Sequence, residues 1–217
     1  MRPKGVIVNA ITFARLPLVF AWAVLAVCQE LAPESGGSLA LALSACVAML
    51  LAGLTDAWDG ALARKWGVVS ALGKMADPLM DKVFYIVAFP TLLWQILHQG
   101  GEGSGAHALA MLAFTVLYML RDTWVTFMRA VGAMFGADVA AMWLGKVRTA
   151  LSFPGAGWVY AYLCFNGMFP EMPAAWRRAW LASCFVVEGG LFALTLWSLW
   201  TYTAAYMPYL RRALERK

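Results

Sequence analysis

Long stretches without a charged side chain constrain this chain more than any other feature. None occurs between Glu34 and Asp56, Lys82 and Glu102, Glu102 and Arg121, Arg148 and Glu171, or Glu188 and Arg211. Leu16 to Gln29 is also charge-free, and becomes a full span if Arg15 lies near the interface. A bilayer core is about 30 Å thick and takes roughly 20 apolar residues in helical form. The pattern predicts one all-α, polytopic membrane domain, 1–217, with six transmembrane helices near 8–28, 36–66, 70–97, 106–134, 140–166 and 174–208. A membrane barrel would show short alternating segments instead. No small-residue cleavage site follows the first stretch, so it reads as a retained helix.

Composition closes the other routes. Charged residues make up 13% of the chain and hydrophobic ones 62%, against roughly 25% charged in a soluble domain. With a mean hydropathy of +0.68, a soluble enzyme, a disordered chain and a nucleic-acid-binding module are all excluded, despite a pI near 9.2. The basic residues instead report topology. Arg2, Lys4, Arg15, Arg64, Lys65, Lys74, Lys82, Arg121, Arg129, Lys146, Arg148 and the tail Arg211, Arg212, Arg216 and Lys217 fall at one set of helix ends. The other set has only Arg177 and Arg178, with Glu30, Glu34, Glu102 and Glu171. Both termini are therefore expected in the cytoplasm, in contact with anionic membrane lipids. The Gly-rich segments 29–37 and 98–107 read as connectors, with His98 and His107 solvated in the second. Cys28, Cys46, Cys164 and Cys184 lie inside the spans without metal-ligand spacing and read as reduced packing residues.

The chemistry is concentrated between residues 56 and 82. Four aspartates, Asp56, Asp59, Asp77 and Asp81, sit at helix ends that are otherwise apolar, where charge is costly and marks function. At 100° per residue, Asp56, Asp59, Gly60, Ala63 and Arg64 share one arc of the second helix. Gly73, Asp77 and Asp81 run at i, i+4, i+8 along one face of the third. Two adjacent antiparallel helices would thus aim four carboxylates at each other. Such a cluster needs a cation, and oxygen-only ligation favours Mg²⁺ or Mn²⁺, with Ca²⁺ also open. Gly60 and Ala63 leave room for a ligand, and Arg64 suits a phosphate. Together these residues point to a pyrophosphate-bearing substrate and to phosphoryl transfer. The plainer alternative is that the acids pair with Arg64, Lys65, Lys74 and Lys82 to end the helices. A divalent-cation or proton-coupled transporter is a further alternative, although it would want acids near the midplane in paired halves.

The pattern D-x2-D-G-x2-A-R-x8-G-x3-D-x3-D, complete from Asp56 to Asp81, resembles the signature of the CDP-alcohol phosphatidyltransferases, and Asn9, Thr12 and Arg15 resemble that family's first-helix N-x2-T-x2-R. The resemblance implies a six-helix membrane enzyme that exchanges the CMP of a CDP-activated lipid for an alcohol, and a homodimer. It implies that Asp56, Asp59, Asp77 and Asp81 hold two divalent metals, Mg²⁺ or Mn²⁺, with Asp81 also the general base. It implies that Asp56, Gly60, Ala63, Arg64 and Gly73 bind the cytidine nucleotide.

The second half bears on the acceptor. Arg121 and Arg129 lie roughly on one helix side, and Lys146 and Arg148 open the fifth helix. Cations on this side fit topology and headgroup contact; they also fit an anion site for a phosphorylated acceptor. Lys146 and Arg148 point about 200° apart on an intact helix, so at most one faces a given phosphate unless the helix starts there. The segments from Asp77 to Lys82, Arg121 to Arg129, Gly145 to Thr149 and Leu194 to Ser198 resemble the branch that makes phosphatidylglycerophosphate. That resemblance implies CDP-diacylglycerol and glycerol 3-phosphate as substrates, Arg121, Arg129, Lys146 and Arg148 around the acceptor phosphate, and a bacterial-type inner membrane with the site facing the cytoplasm. Phosphatidylglycerol, inositol phosphate, serine and choline are the rival acceptors. Glu188, in the middle of the last span, is expected to face the bundle interior, bonding a neighbouring helix or touching the acceptor.

Overall fold

The computed structural model describes residues 3–32, 37–68, 70–101, 103–137, 142–169 and 171–215. Glu34, Glu102, Arg2, Arg216 and Lys217 lie outside the described residues, as do the side chains of Lys74, Met75 and Asp77 within their helix. Six helices follow in order: α1 (Pro3–Leu31), α2 (Gly37–Trp66), α3 (Ala71–Gln99), α4 (Ser104–Met134), α5 (Trp143–Met168) and α6 (Ala174–Glu215). No strand occurs among the described residues. The helices match the expected segments and overrun several ends, most at α6, which continues through Pro208 to Glu215.

Among the described residues, five helices are long and apolar enough to cross a membrane, making this an integral membrane protein. The exception is α5, whose first turns carry Lys146 and Arg148 and whose length is interrupted by Ser, Gly, Pro, Trp and Tyr. It is packed against α6, α3 and α2, so protein rather than lipid faces much of its polar content.

Cross-helix bonds fix the direction of each element. Thr12 near the start of α1 meets Asp59 near the end of α2, while Glu30 at the end of α1 meets Gln99 at the end of α3. Successive helices therefore alternate in direction. The α1 stripe that turns inward is Val8, Thr12, Arg15, Val19, Trp22, Ala26 and Gln29, all buried and spaced alternately by three and four. It packs on α2, where Ala42, Ala45, Ala48 and Ala52 are buried and their small side chains let the two backbones approach closely. In lipid, helix association depends on such packing and on internal hydrogen bonds.

α1 packs against both α2 and α3, whereas α2 and α3 have little direct packing. The expectation of two adjacent helices facing one another across their acids is corrected accordingly: α1 stands between them.

Polar groups in the opposite half are largely paired. Glu30 accepts from Gln95 and Gln99, and Gln99 in turn accepts from Asn166, linking α1, α3 and α5. His107 is not a solvated connector residue. α4 begins at Ser104, and His107 is buried with its Nε2 2.8 Å from Glu188 Oε1 on α6. This answers the open reading of Glu188, which bonds a neighbouring helix far from the acids. Leucine in place of either partner strands the other in a dry interior, at an expected cost of about 3 kcal/mol or more. The double variant H107L/E188L is expected to recover most of that loss in thermal unfolding in detergent. A double variant no more stable than the worse single one would contradict the pairing. The four cysteines are free thiols, with Cys164 and Cys184 buried and Cys28 exposed.

Candidate active site

Ser70 caps the start of α3, its hydroxyl accepting from the Gly73 amide at 2.9 Å and donating to Asn9 Oδ1 of α1 at 3.1 Å. A Cβ on Gly73 would lie 3.2 Å from Ser70 Oγ and 3.6 Å from Asn9 Oδ1. Gly73 thus lets α1 approach the turn that launches the acidic face of α3. One helical turn further along α1, Thr12 donates to Asp59 Oδ2 at 2.8 Å, and Arg15 reaches into the acids themselves.

Arg15 is only 4% exposed, yet it contacts three carboxylates. Its Nη2 lies 2.6 Å from Asp56 Oδ1 and 3.4 Å from Asp59 Oδ2, and its Nη1 lies 3.3 Å from Asp81 Oδ1. Asp56 and Asp59 thus pair with Arg15 of α1, while Arg64 and Lys65 are exposed on α2. Arg15 was legible as a cation near the interface and as part of a first-helix motif with no role assigned, and its place among the acids is the main feature that sequence reasoning missed. The signal was present: Thr12 and Arg15 occupy two consecutive places in an otherwise mostly apolar inward stripe.

The three described acids differ in exposure. The Asp59 side chain is 5% exposed, that of Asp81 36% and that of Asp56 60%. Gly60 and Ala63 are half-buried next to Arg64. The Arg64 guanidinium folds back, with Nη1 3.3 Å from where a Gly60 Cβ would stand. No group of three or more acidic, His or Cys side chains close enough to hold a metal occurs among the described residues, and Asp77's side chain is not among them. The donor set still fits a hard cation. It is all carboxylate oxygen, and the guanidinium held between three of its members is a stand-in positive charge.

Beside the acids opens a cavity of about 780 Å³, within the usual range for a small-ligand site. Asp56, Asp81 and Arg15 line one side, and Arg121, Arg129, Lys146 and Arg148 line another. All four candidate acceptor cations thus meet in one space with two of the acids. α5 begins at Trp143, so Lys146 and Arg148 both lie within it and leave it in different directions. Arg148 is buried while Lys146 is exposed, and both border the cavity.

Asp122 organises these cations. It accepts from Arg148 Nη2 at 2.7 Å and from Arg121 Nη1 at 3.0 Å, with Lys82 Nζ 3.8 Å away. The Arg148 guanidinium lies 3.8 Å over the Tyr118 ring, and that of Arg121 lies 5.0 Å over Tyr202. Arg121 also donates to Ser198 Oγ. Arg148 Nη1 and Nε have no hydrogen-bond partner although both are buried. A guanidinium so held is stacked and anchored at one edge, with donor capacity left over for an anion. Gly145 permits the crowding, since a Cβ there would meet Tyr202 Oη at 3.0 Å and Arg121 Nη2 at 3.3 Å. Asp122, Tyr118 and Tyr202 had no role in the sequence reading, because spacing along one helix does not show which neighbours fold onto it.

Residues 6–200 match the family described as CDP-alcohol phosphatidyltransferase. A curated CDP-diacylglycerol–glycerol-3-phosphate 3-phosphatidyltransferase of Bacillus subtilis is 30% identical over 194 residues, covering 84% of this chain and 90% of its own length. The Escherichia coli protein of the same name is 29% identical over 174 residues, covering 80% of this chain and 81% of its own. No solved structure matches the chain.

Proposed function

We propose, since this chain belongs to the CDP-alcohol phosphatidyltransferase family, that it transfers the phosphatidyl group of CDP-diacylglycerol to glycerol 3-phosphate, giving phosphatidylglycerophosphate and CMP. It is an integral membrane enzyme of phospholipid biosynthesis. Its family sets aside the transporter alternative. The observation that carries the choice of acceptor is the single cavity lined on one side by Asp56 and Asp81 and on another by Arg121, Arg129, Lys146 and Arg148. An uncharged or cationic acceptor would have no use for those cations, and the two curated relatives are named for glycerol 3-phosphate.

In this reading Asp56, Asp59, Asp77 and Asp81 would hold two Mg²⁺ or Mn²⁺ ions. Such ions, when bound, neutralise a pyrophosphate and acidify a nearby hydroxyl. Arg148 and Arg121 bind the acceptor's phosphate, oriented by Asp122, and so direct its hydroxyl toward the acids. Asp81, on the cavity wall and partly open to it, takes the hydroxyl proton. The acceptor oxygen bonds to the phosphatidyl phosphorus, and the bond from that phosphorus to the CMP oxygen breaks. Gly60, Ala63, Arg64 and Gly73 stand beside the nucleotide on this reading. We place the cavity and both termini on the cytoplasmic side of a bacterial-type inner membrane, from the distribution of Lys and Arg. The functional unit on this reading is a homodimer of single-domain chains.

The test is product identity. Purified protein given CDP-diacylglycerol, Mg²⁺ and labelled glycerol 3-phosphate should move the label into an organic-extractable lipid, with one CMP per lipid formed. Label left in the aqueous phase while CMP accumulates would mean hydrolysis, and would contradict the proposal.

A further inference from the structure

Arg15 projects from the buried stripe of α1 into acids supplied by two other helices. Its two terminal nitrogens are shared among Asp56, Asp59 and Asp81, so one positive charge faces three negative ones. An unpaired guanidinium, or three unpaired carboxylates, would be costly at this depth, and each side offsets the desolvation of the other. A divalent cation carries twice the charge of the guanidinium and neutralises the same carboxylates better. The guanidinium also occupies carboxylate oxygens that such an ion needs as ligands. Arg15 Nε has no hydrogen-bond partner, so withdrawal of the head group breaks only its contacts with the acids.

We propose that Arg15 is a built-in counter-cation of the metal-free protein, holding the acids together until a divalent ion displaces it. The proposal rests on the reading of these acids as metal ligands. Arg15 is a positioning residue in this scheme, and its two effects have opposite signs. It stabilises the empty protein, and it weakens apparent metal affinity, because only the fraction of molecules with the guanidinium withdrawn is competent to bind.

The experiment uses the full chain in detergent with Mn²⁺ as the probe. Free Mn²⁺ is read by electron paramagnetic resonance, and unfolding is followed in EDTA and at saturating Mn²⁺. Arg15→Gln should melt below wild type in EDTA, bind Mn²⁺ roughly tenfold more tightly if nine-tenths of molecules hold the guanidinium in place, and regain its melting temperature when saturated. A purely structural Arg15 would lower the melting temperature and loosen Mn²⁺ together. That outcome, or an unchanged Kd, overturns the proposal. Should Arg15→Gln fail to fold, Arg15→Lys keeps one charge without the fork and should also bind Mn²⁺ more tightly than wild type; equal or weaker binding overturns the proposal. Asp56→Asn separates the two ideas. Saturable Mn²⁺ binding that this variant loses, without tightening in the Arg15 variants, sinks the Arg15 proposal alone. No saturable binding in wild type or variants sinks the metal reading, and the Arg15 proposal with it.

Discussion

Asparagine at Asp59 or Asp81 should reduce CMP release by about 10³-fold or more while leaving the helical bundle folded. The size follows from what each carboxylate is asked to do. A positioned general base contributes about 10²–10⁴-fold, and loss of a charged ligand removes transition-state stabilisation of similar size. Asparagine keeps the shape and one accepting oxygen. Thr12 can still donate at position 59, and Arg15 keeps Asp56 as its closest partner, at 2.6 Å. The fold is therefore expected to survive, as read by elution profile and unfolding temperature. Asp81→Asn should leave Mn²⁺ binding weaker and turnover at background. Asp59→Asn should do the same although that side chain is nearly buried, because its part is to complete the cluster from behind. Wild-type-like CMP release in more than one variant among Asp56, Asp59, Asp77 and Asp81 would contradict the assignment of these acids.

The second large effect is expected at Arg148. It is among the most buried charged residues described, anchored by Asp122, stacked on Tyr118, bordering the cavity and left with two buried, unpartnered nitrogens. Arg148→Met keeps much of the packing volume and removes the charge. Loss of a buried, charge-assisted contact to a phosphate costs about 2–5 kcal/mol, which is roughly 30-fold to 5,000-fold in kcat/KM for glycerol 3-phosphate. The loss should fall on the acceptor, with KM for CDP-diacylglycerol nearly unchanged. Arg148→Lys should recover only part of it, because an ammonium can neither stack on Tyr118 nor contact Asp122 and a phosphate through one planar fork. Steady-state CMP release with each substrate varied in turn reads both numbers. Equal losses for donor and acceptor would mean that Arg148 holds the fold rather than the acceptor.

Much of this arrangement was visible in the chain itself, for identifiable reasons. Bilayer thickness converts charge-free length into helices, and both Gly-rich segments fall where one helix ends and the next begins. The acids followed from helical periodicity, which needs no knowledge of neighbouring elements. What stayed hidden depends on which helix lies against which. Arg15 could be placed on α1 but not among the acids, because that requires α1 to stand between α2 and α3. His107 seemed to belong to a Gly-rich linker, and only its bond to Glu188 shows why a histidine is tolerated there. Glu188 itself was the better clue, since a carboxylate in a span needs a partner on an adjacent helix. Asp122 was hidden for the same reason as Arg15. Its carboxylate sits on α4, yet its partners come from α3 and α5 as well. Lys146 and Arg148 were constrained by sequence to different sides of a helix, and the structure keeps that difference, with Arg148 buried and Lys146 exposed, while both border the cavity.

One measurement bears most directly on the claim that a single cavity joins a phosphatidyl-transfer centre to an anion site. CMP release by the purified protein would be followed with CDP-diacylglycerol and Mg²⁺, and with glycerol 3-phosphate, glycerol, serine, choline, inositol phosphate and phosphatidylglycerol supplied singly. Stimulation by glycerol 3-phosphate alone, absent in EDTA and in Asp81→Asn, is the expected result. Equal stimulation by glycerol, or preference for serine or choline, would contradict it, because Arg121, Arg129, Lys146 and Arg148 would then surround an acceptor that has no phosphate for them to bind.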